Sequence, residues 1–341
     1  MGSRMQLPPS SPVFDSYWKF AAARQQVYFA RVSGSPPPWT TDPIITQYRF
    51  TNAYRAADRV SQFMLRSVIY GAQHNEPDLM FRILLFKLFN RIETWQLLER
   101  AFGDVTVSTF NVERYAAVLN DALRTGSRIY SAAYIMPPAP GLRRHARKHE
   151  THLALLASML SDHLPKTLAA TESLRDVYAL LVEYPGLGPF LAYQFAIDLN
   201  YSPLIDHSEM DFVQPGPGAV DGIRKCFPTA RPSDMADIIY KVCEQQEEHF
   251  AARGLAFQTL WGRPLQLIDC QNLFCEISKY ARVAHPEIVG STGRARIKQR
   301  FTSAGSLPPP SFPPKWGLCT LSPTGTTAAP STGRVRDAAH R

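Results

Sequence analysis

The chain has 341 residues, 45% of them hydrophobic and 11% aromatic, enough apolar material for a sizeable core and too much for disorder throughout. Its formal charge of +8 is unevenly placed: residues 291–341 hold eight Lys/Arg against Asp337 alone. The remainder is nearly neutral, which excludes a global basic field and requires any nucleic-acid site on it to be local. Residues 1–12 are polar and proline-bearing, a flexible lead. A helical period runs over 14–32, with Tyr17, Phe20, Ala21, Val27 and Phe29 apolar and Arg24 and Arg31 off that face. A Ser-Gly-Ser-Pro-Pro-Pro-Trp loop (33–39) follows, and its aromatic end suits packing on a domain surface.

In the next segment, 48–59, Thr51 or Asn52 can cap a helix continuing through Val60, Phe63, Met64 and Ile69 to Gly71. On such a helix Asn52, Arg55 and Arg59 share one face, with Asp58 beside Arg55 and Arg49 just ahead. That group is either a grip for a phosphate or base edge, or a solvated helix start with local ion pairs. Residues 77–90 and 92–102 keep the helical period, with Trp95 expected inside. The most apolar run, 79–89, is broken by Arg82 and Lys87, so no membrane span is expected, and no signal peptide opens the chain. Asn111 reads as the N-cap of a helix over 112–123 ended by Gly126, and 105–110 carries a weak strand signal. The pattern lapses over 128–150, where Arg143-Arg144-His145-Ala146-Arg147-Lys148 forms a basic surface run, solvated or touching a phosphate backbone.

Helical periods return over 151–164 and from 171 into Tyr184-Pro185-Gly186-Leu187-Gly188-Pro189, after which another runs over 190–199. Gly186 and Gly188 permit positive φ and bare the backbone, while Pro189 suits a first helical turn. This helix, hairpin and helix either presents N–H groups to a DNA phosphate or is an ordinary corner with glycine caps. Pro215-Gly216-Pro217-Gly218 before a helix is a second anion cradle, with Arg224 and Lys225 behind it, or a tight loop. Ser233 or Asp234 caps a helix reaching about Ala252. The last helix, 264–283, places Glu276, Lys279 and Tyr280 on one face, completing a polar cleft against Asn52 and Arg55 or forming an exposed ion pair. From 289 onward Pro, Ser, Thr and Gly dominate, a composition that predicts a disordered basic tail.

The expected fold is therefore all-α, roughly ten helices over 13–288 in one compact unit or two lobes. Neither a metal nor a cofactor is expected. His149-Glu150-Thr151-His152 is one residue short of a His-Glu-x-x-His zinc helix, and no nucleotide-binding or nucleophile-elbow fingerprint occurs. Cys226, Cys243, Cys270, Cys275 and Cys319 show neither Cys-x-x-Cys spacing nor an even framework, and read as reduced thiols of a cytoplasmic or nuclear protein that is not secreted.

The stretch 184–192 resembles the helix-hairpin-helix of DNA glycosylases, without the cysteine-bound iron–sulfur loop that some of them carry. Several blocks, in order, resemble the α-glutamyl/putrescinyl-thymine pyrophosphorylases and the helical domain of 5-hydroxymethyluracil DNA kinases. They are Arg49-Phe50-Thr51-Asn52-Ala53-Tyr54-Arg55 with Asp58-Arg59, then Phe89-Asn90 with Glu93-Thr94-Trp95. Next come Gly188-Pro189-Phe190-Leu191-Ala192-Tyr193-Gln194 with Asp198-Leu199, and Pro215-Gly216-Pro217-Gly218-Ala219 with Gly222-Ile223. Cys275-Glu276-Ile277-Ser278-Lys279-Tyr280 with Arg282 is the last, so the resemblance spans about residues 18–286.

The resemblance implies a glycosylase-like helical domain that acts on a modified thymine extruded from DNA, where an activated hydroxymethyl carbon is attacked by an amine. Kinase members carry a separate P-loop; this chain has no Gly-Lys dipeptide and so no Walker A sequence. The catalytic set it suggests is Asn52, Arg55, Asp58, Asp211, Glu276 and Lys279, with Asp206 the alternative to Asp211. The expected DNA contacts are Arg49, Arg59, Gly186, Gly188, Gly216, Gly218 and Lys225. Pro189-Phe190 stands where lyase-type glycosylases place a catalytic lysine, which argues against a Schiff base. Three functions stay open: a base-hypermodifying protein, a monofunctional glycosylase, and a DNA-binding adaptor for a partner P-loop kinase or thymine-oxidising dioxygenase.

Overall fold

Fourteen α-helices, interrupted by short turns of 3-10 and π-helix, make up the protein in a computed structural model that describes residues 6–132, 136–142, 147–303 and 305–319. No named strand occurs among them; 105–110, with its weak strand signal, is a set of turns closed on the Thr109 hydroxyl. No helix among the described residues is long and apolar enough to cross a membrane.

Helix α1 (Pro12–Val32) starts where the Ser11 hydroxyl accepts from the Val13 N–H and Pro12 needs no partner. It buries Tyr17, Trp18, Phe20 and Ala21, and also Arg24, which the sequence places off that face. Asp42 caps the short α2 (Pro43–Gln47), accepting from the Ile44 and Ile45 N–H groups at 2.8 and 2.9 Å. The single helix expected from Thr51 or Asn52 to Gly71 is replaced by a sequence of pieces. Residues 49–54 are a loop, Arg55–Ala57 a 3-10 turn, α3 (Arg59–Phe63) begins at an Asp58 cap, and Met64–Ile69 is a π-turn. The reason lies in competing partners. Asn52 donates to the Ala57 carbonyl at 2.7 Å, and the Ser67 and Val68 carbonyls receive Arg82 at 3.2 and 3.0 Å.

Helix α4 (Glu76–Phe89), capped by Asn75, is buried without a break from Leu79 to Phe89. Beyond its acidic first turn it is apolar all round, and its two basic residues, Arg82 and Lys87, are buried with it. Arg82 is held by four oxygens, those of Ser67, Val68, Val105 and Asp104, and lies 4.9 Å from the Trp95 ring. Helices α5 (Ile92–Phe102) and α6 (Val112–Arg124, with the expected Asn111 cap) follow, then α7 (Lys148–Ser161) and α8 (Leu164–Ala169). Of the basic run, 143–146 lie outside the described residues; Arg147 and Lys148 start α7. His152 is a core residue bridging the Tyr130 hydroxyl and the Pro137 carbonyl at 2.8 and 2.7 Å, and burial pulls its pKa down to about 4.

Helix α9 (Leu174–Val182) turns through Pro185-Gly186 into α10 (Pro189–Asn200). Helix α11 (Pro217–Cys226) then crosses the long α14 (Leu267–Ala284), with α12 (Met235–Glu244) and α13 (Gln246–Ala252) between them in sequence. The expected single helix over 233–252 breaks at Gln245, and next to the break the Gln246 side-chain amide bonds the backbone of Leu265, donating at 3.0 Å and accepting at 2.9 Å. The α11–α14 crossing requires glycine: a Cβ at Gly222 would overlap the Phe274 carbonyl, and one at Gly218 the Cys275 sulfur.

Where the composition predicts a disordered tail from 289, parts of 289–303 and 305–319 are anchored on the rest of the protein; 304 and 320–341 lie outside the described residues. Ile297 is buried, and Arg49 and Phe301 donate to the Gln299 and Gln47 carbonyls at 3.1 and 3.0 Å around a Tyr48–Arg300 bridge. Ser291 and Thr292 each donate to the buried Asp221 carboxylate at 3.1 Å. Average composition hides these isolated anchors, since a proline-rich segment needs only a few apolar and polar contacts to lie in place.

Candidate functional site

One face of α14 organises the loop at residues 49–58. Asp269 accepts from the Arg55 N–H at 2.8 Å and Glu276 from the Thr51 N–H at 3.0 Å. Asn272 donates to the Thr51 hydroxyl at 3.0 Å and to the Asn52 carbonyl at 3.3 Å. The spacing 269, 272, 276 is one helical stripe, so three side chains of a single helix fix a loop that has no ladder of its own. From α1, Arg24 donates to the Thr51 carbonyl at 3.0 Å and to Asn52 Oδ1 at 2.7 Å. Burial lowers the Arg24 pKa to about 10, against the upward pull of Glu276 and Asp58. Lys279 pairs with Glu276 at 2.8 Å and sits 4.6 Å from the Phe50 ring. Of the expected catalytic set, Asn52, Asp58, Glu276 and Lys279 thus share one half-buried polar neighbourhood built around Arg24.

Arg55 and Asp211 are placed elsewhere. Because 51–58 is not a helix, the i, i+3 spacing does not hold, and Arg55 turns inward. Its Nη1 meets Asp198 at 2.7 Å, Lys87 Nζ meets the other Asp198 oxygen at 2.7 Å, and Arg55 Nε donates to Gln194 at 3.0 Å. All three charged side chains are at most 7% exposed. Burial pulls the Lys87 ammonium down to about 8. Burial alone would raise the Asp198 carboxyl, but Arg55 and Lys87 together hold it below its ordinary value. Asp211 is exposed, its carbonyl accepting from Tyr240 at 2.6 Å, and the alternative Asp206 is exposed beside Lys315 at 3.4 Å. Residue-type reasoning missed Lys87 and Asp198 as a pair, although a lysine inside the most apolar run was the signal that a buried carboxylate must face it.

Next to this triad lies a second buried group. Arg263 pairs with Glu209 at 2.8 Å, and burial pushes the Glu209 carboxyl up to about 7 and that of Asp269 up to about 6. Tyr193, fully buried, has a hydroxyl with no hydrogen-bond partner. The Glu209 shift has a definite sign. A raised carboxyl pKa means that the folded state binds more protons between about 4.5 and about 7, so this group's stabilisation is complete below that window and lost as pH rises through it. The wild-type protein is expected to lose roughly 3 kcal/mol relative to Glu209→Gln between pH 4.5 and 8. Urea unfolding at both pH values checks this, and parallel pH profiles would remove the assignment.

The expected DNA contacts divide in two. Gly188 is the exposed N-cap of α10, and a Cβ there meets nothing within 4 Å; Gly186, at φ 87°, makes the turn against Ala139. Arg49 and Arg59 are exposed. Gly216 and Gly218, by contrast, serve close packing against Phe190 and Cys275. Lys225 is buried, donating to the Ser278 carbonyl at 2.9 Å and lying 3.6 Å from Asp221, so it cannot reach a phosphate. The hollow beside the hairpin, about 970 Å³, is lined by Asp162, Glu172, Asp176 and Glu183 with Tyr184 and Pro185. The carboxylates there repel a polyanion.

Among known proteins, the 5-hmdU DNA kinase of Bacillus phage SP10 is 26% identical over 289 residues, which cover 79% of this chain and 45% of the relative. The chain thus spans less than half the length of that relative. No solved structure matches. The family described as "5-hmdU DNA kinase, helical domain" matches residues 11–290, the stretch that holds the α14-anchored loop, the buried triad and the hairpin, and the chain belongs to that family.

Proposed function

We propose that this chain binds duplex DNA through the Gly188-Pro189 end of α10 and presents an extruded, modified thymine for hypermodification, in which an amine displaces a phosphate or pyrophosphate from the base's exocyclic carbon. The family match over 11–290 carries the proposal. It is supported by a helix start open at the surface, where first-turn N–H groups face an incoming phosphate. The activated ester must be made elsewhere, since the chain lacks a Gly-Lys dipeptide and with it a P-loop of the Walker type. In this reading Lys279, half-buried beside the Arg24-anchored loop, holds the leaving phosphate, while Asp58 or Glu276 takes the proton released by the amine.

The test joins binding and chemistry. Gly188→Glu adds charge where the backbone has room, and at least a tenfold loss of duplex affinity is expected, about 1.4 kcal/mol, with little dependence on sequence. Unchanged affinity removes the hairpin from the account. DNA carrying 5-hydroxymethyluracil or its pyrophosphorylated form is then incubated with and without putrescine, and the nucleosides are read by mass spectrometry. Amine adducts arising from the pyrophosphorylated DNA alone are the expected result. Abasic sites would instead make the protein a glycosylase, and unaltered DNA together with tight binding an adaptor for a separate kinase or oxygenase.

A further inference from the structure

The family match ends at residue 290, yet the segment beyond it reaches back over Arg263 and the 202–205 turn. Ser311 exchanges two hydrogen bonds with the Gln62 amide at 2.8 and 2.9 Å. Lys315 donates to the Ser202 and Ile205 carbonyls at 3.1 and 2.6 Å. Between these latches Trp316 lies 4.0 Å from the Arg263 guanidinium and meets the Tyr201 ring edge-on at 5.4 Å, with Phe312 stacked behind it at 6.0 Å. Below Trp316, Arg263 holds Glu209. The partnerless Tyr193 hydroxyl is buried in the field of Glu209, Tyr201, Arg55 and Asp269.

An orphaned buried hydroxyl costs about 1–3 kcal/mol, and it is retained in the field of two carboxyls, Glu209 and Asp269, of the Arg55 guanidinium and of a second tyrosine, Tyr201. Such a set receives a planar ring: the Arg263 guanidinium offers a face to stack on, Tyr201, with Arg55 over its ring, offers an edge-on contact, and Tyr193 and Glu209 offer polar atoms. The Trp316 indole fills the stacking place over Arg263, and the Tyr193 hydroxyl has no partner. We propose that Phe312–Trp316 is a built-in plug, with Trp316 occupying the mouth of a receptor for a planar, hydrogen-bonding ring of nucleobase size. The inference rests on the reading that the chain handles a base in DNA, and it moves the base's seat from the α14-anchored loop to the Arg263–Tyr201–Tyr193 cluster.

The experiment uses the full chain and a fluorescein-labelled, thymine-only single-stranded dodecamer. Lys315→Ala with Trp316→Ala unlatches the plug and is expected to lower Kd at least tenfold. Removing a lysine works against a polyanion, so a gain of this sign cannot come from charge. Gln62→Ala loosens the other latch and is expected to give a smaller gain; it carries the same test if the double variant does not fold. Tyr193→Phe deletes a hydroxyl that no protein atom uses, and in the unlatched background it is expected to return most of the gain without lowering the melting temperature. Folded unlatched variants that bind no tighter overturn the proposal, and so does a gain that Tyr193→Phe leaves intact. Duplex binding sensitive to Gly188→Glu is measured on the same proteins, so failure of the plug and failure of the hairpin reading are told apart.

Discussion

Asp198→Asn is expected to destabilise the protein by about 3–5 kcal/mol at pH 7, because it leaves Arg55 and Lys87 as two buried cations with no anion between them. In a chain of this size that is a fall in melting temperature of about 4–7 °C. The pH dependence separates this from a simple packing loss. Lys87 already titrates near about 8 with Asp198 present, and without it the ammonium is disfavoured further. A lysine with a depressed folded-state pKa binds fewer protons than in the unfolded chain, so its penalty shrinks as pH rises. The deficit of Asp198→Asn is therefore expected to narrow between pH 7 and 9.5, and Lys87→Met is expected to relieve part of it at neutral pH. Differential scanning calorimetry at the two pH values checks both, and a deficit constant with pH would show that ion pairing is not the cause.

The same triad shows what a sequence discloses and what it withholds. Helices with an unbroken period and a local cap were legible: Asn111 starts α6 by accepting from Arg114 at 2.9 Å, and Trp95 is 1% exposed as expected. The turn at Gly186 was legible because a positive φ there needs glycine. The loop at 49–58 was not. Its conformation is set by Asp269, Asn272 and Glu276, more than 200 residues away, and by Arg24. No local propensity reports such partners. The helical period places Arg24 off the apolar face and shows Arg82 and Lys87 only as breaks in an apolar run; each is buried because a specific set of oxygens meets it. The Pro-Gly-Pro-Gly segment leaves two readings open, an anion cradle or a tight loop, and Phe190 and Cys275 pack where a Cβ on Gly216 or Gly218 would stand.

Ending the chain after residue 288 is expected to lower the melting temperature by roughly 5–10 °C, against the compositional expectation of a dispensable tail. Three losses add. The buried Asp221 carboxylate forfeits its donors Ser291 and Thr292 and keeps Ser278 and Lys225. Ile297 and the bridge at Arg300 uncover the α2 side of the molecule. Removal of Phe312 and Trp316 exposes Trp261, Tyr201 and Arg263. A chain ended after residue 303 keeps the first two sets of contacts and is expected to fall between. One ended after Cys319 keeps all three and is expected to melt as the full chain does, while losing Arg334, Arg336 and Arg341 and with them some salt-sensitive attraction to DNA. Equal melting temperatures across the three truncations would mean that 289–319 contribute nothing to the fold. A graded series with a flat final step assigns the stability to the covering segment and leaves the terminal arginines an electrostatic role only.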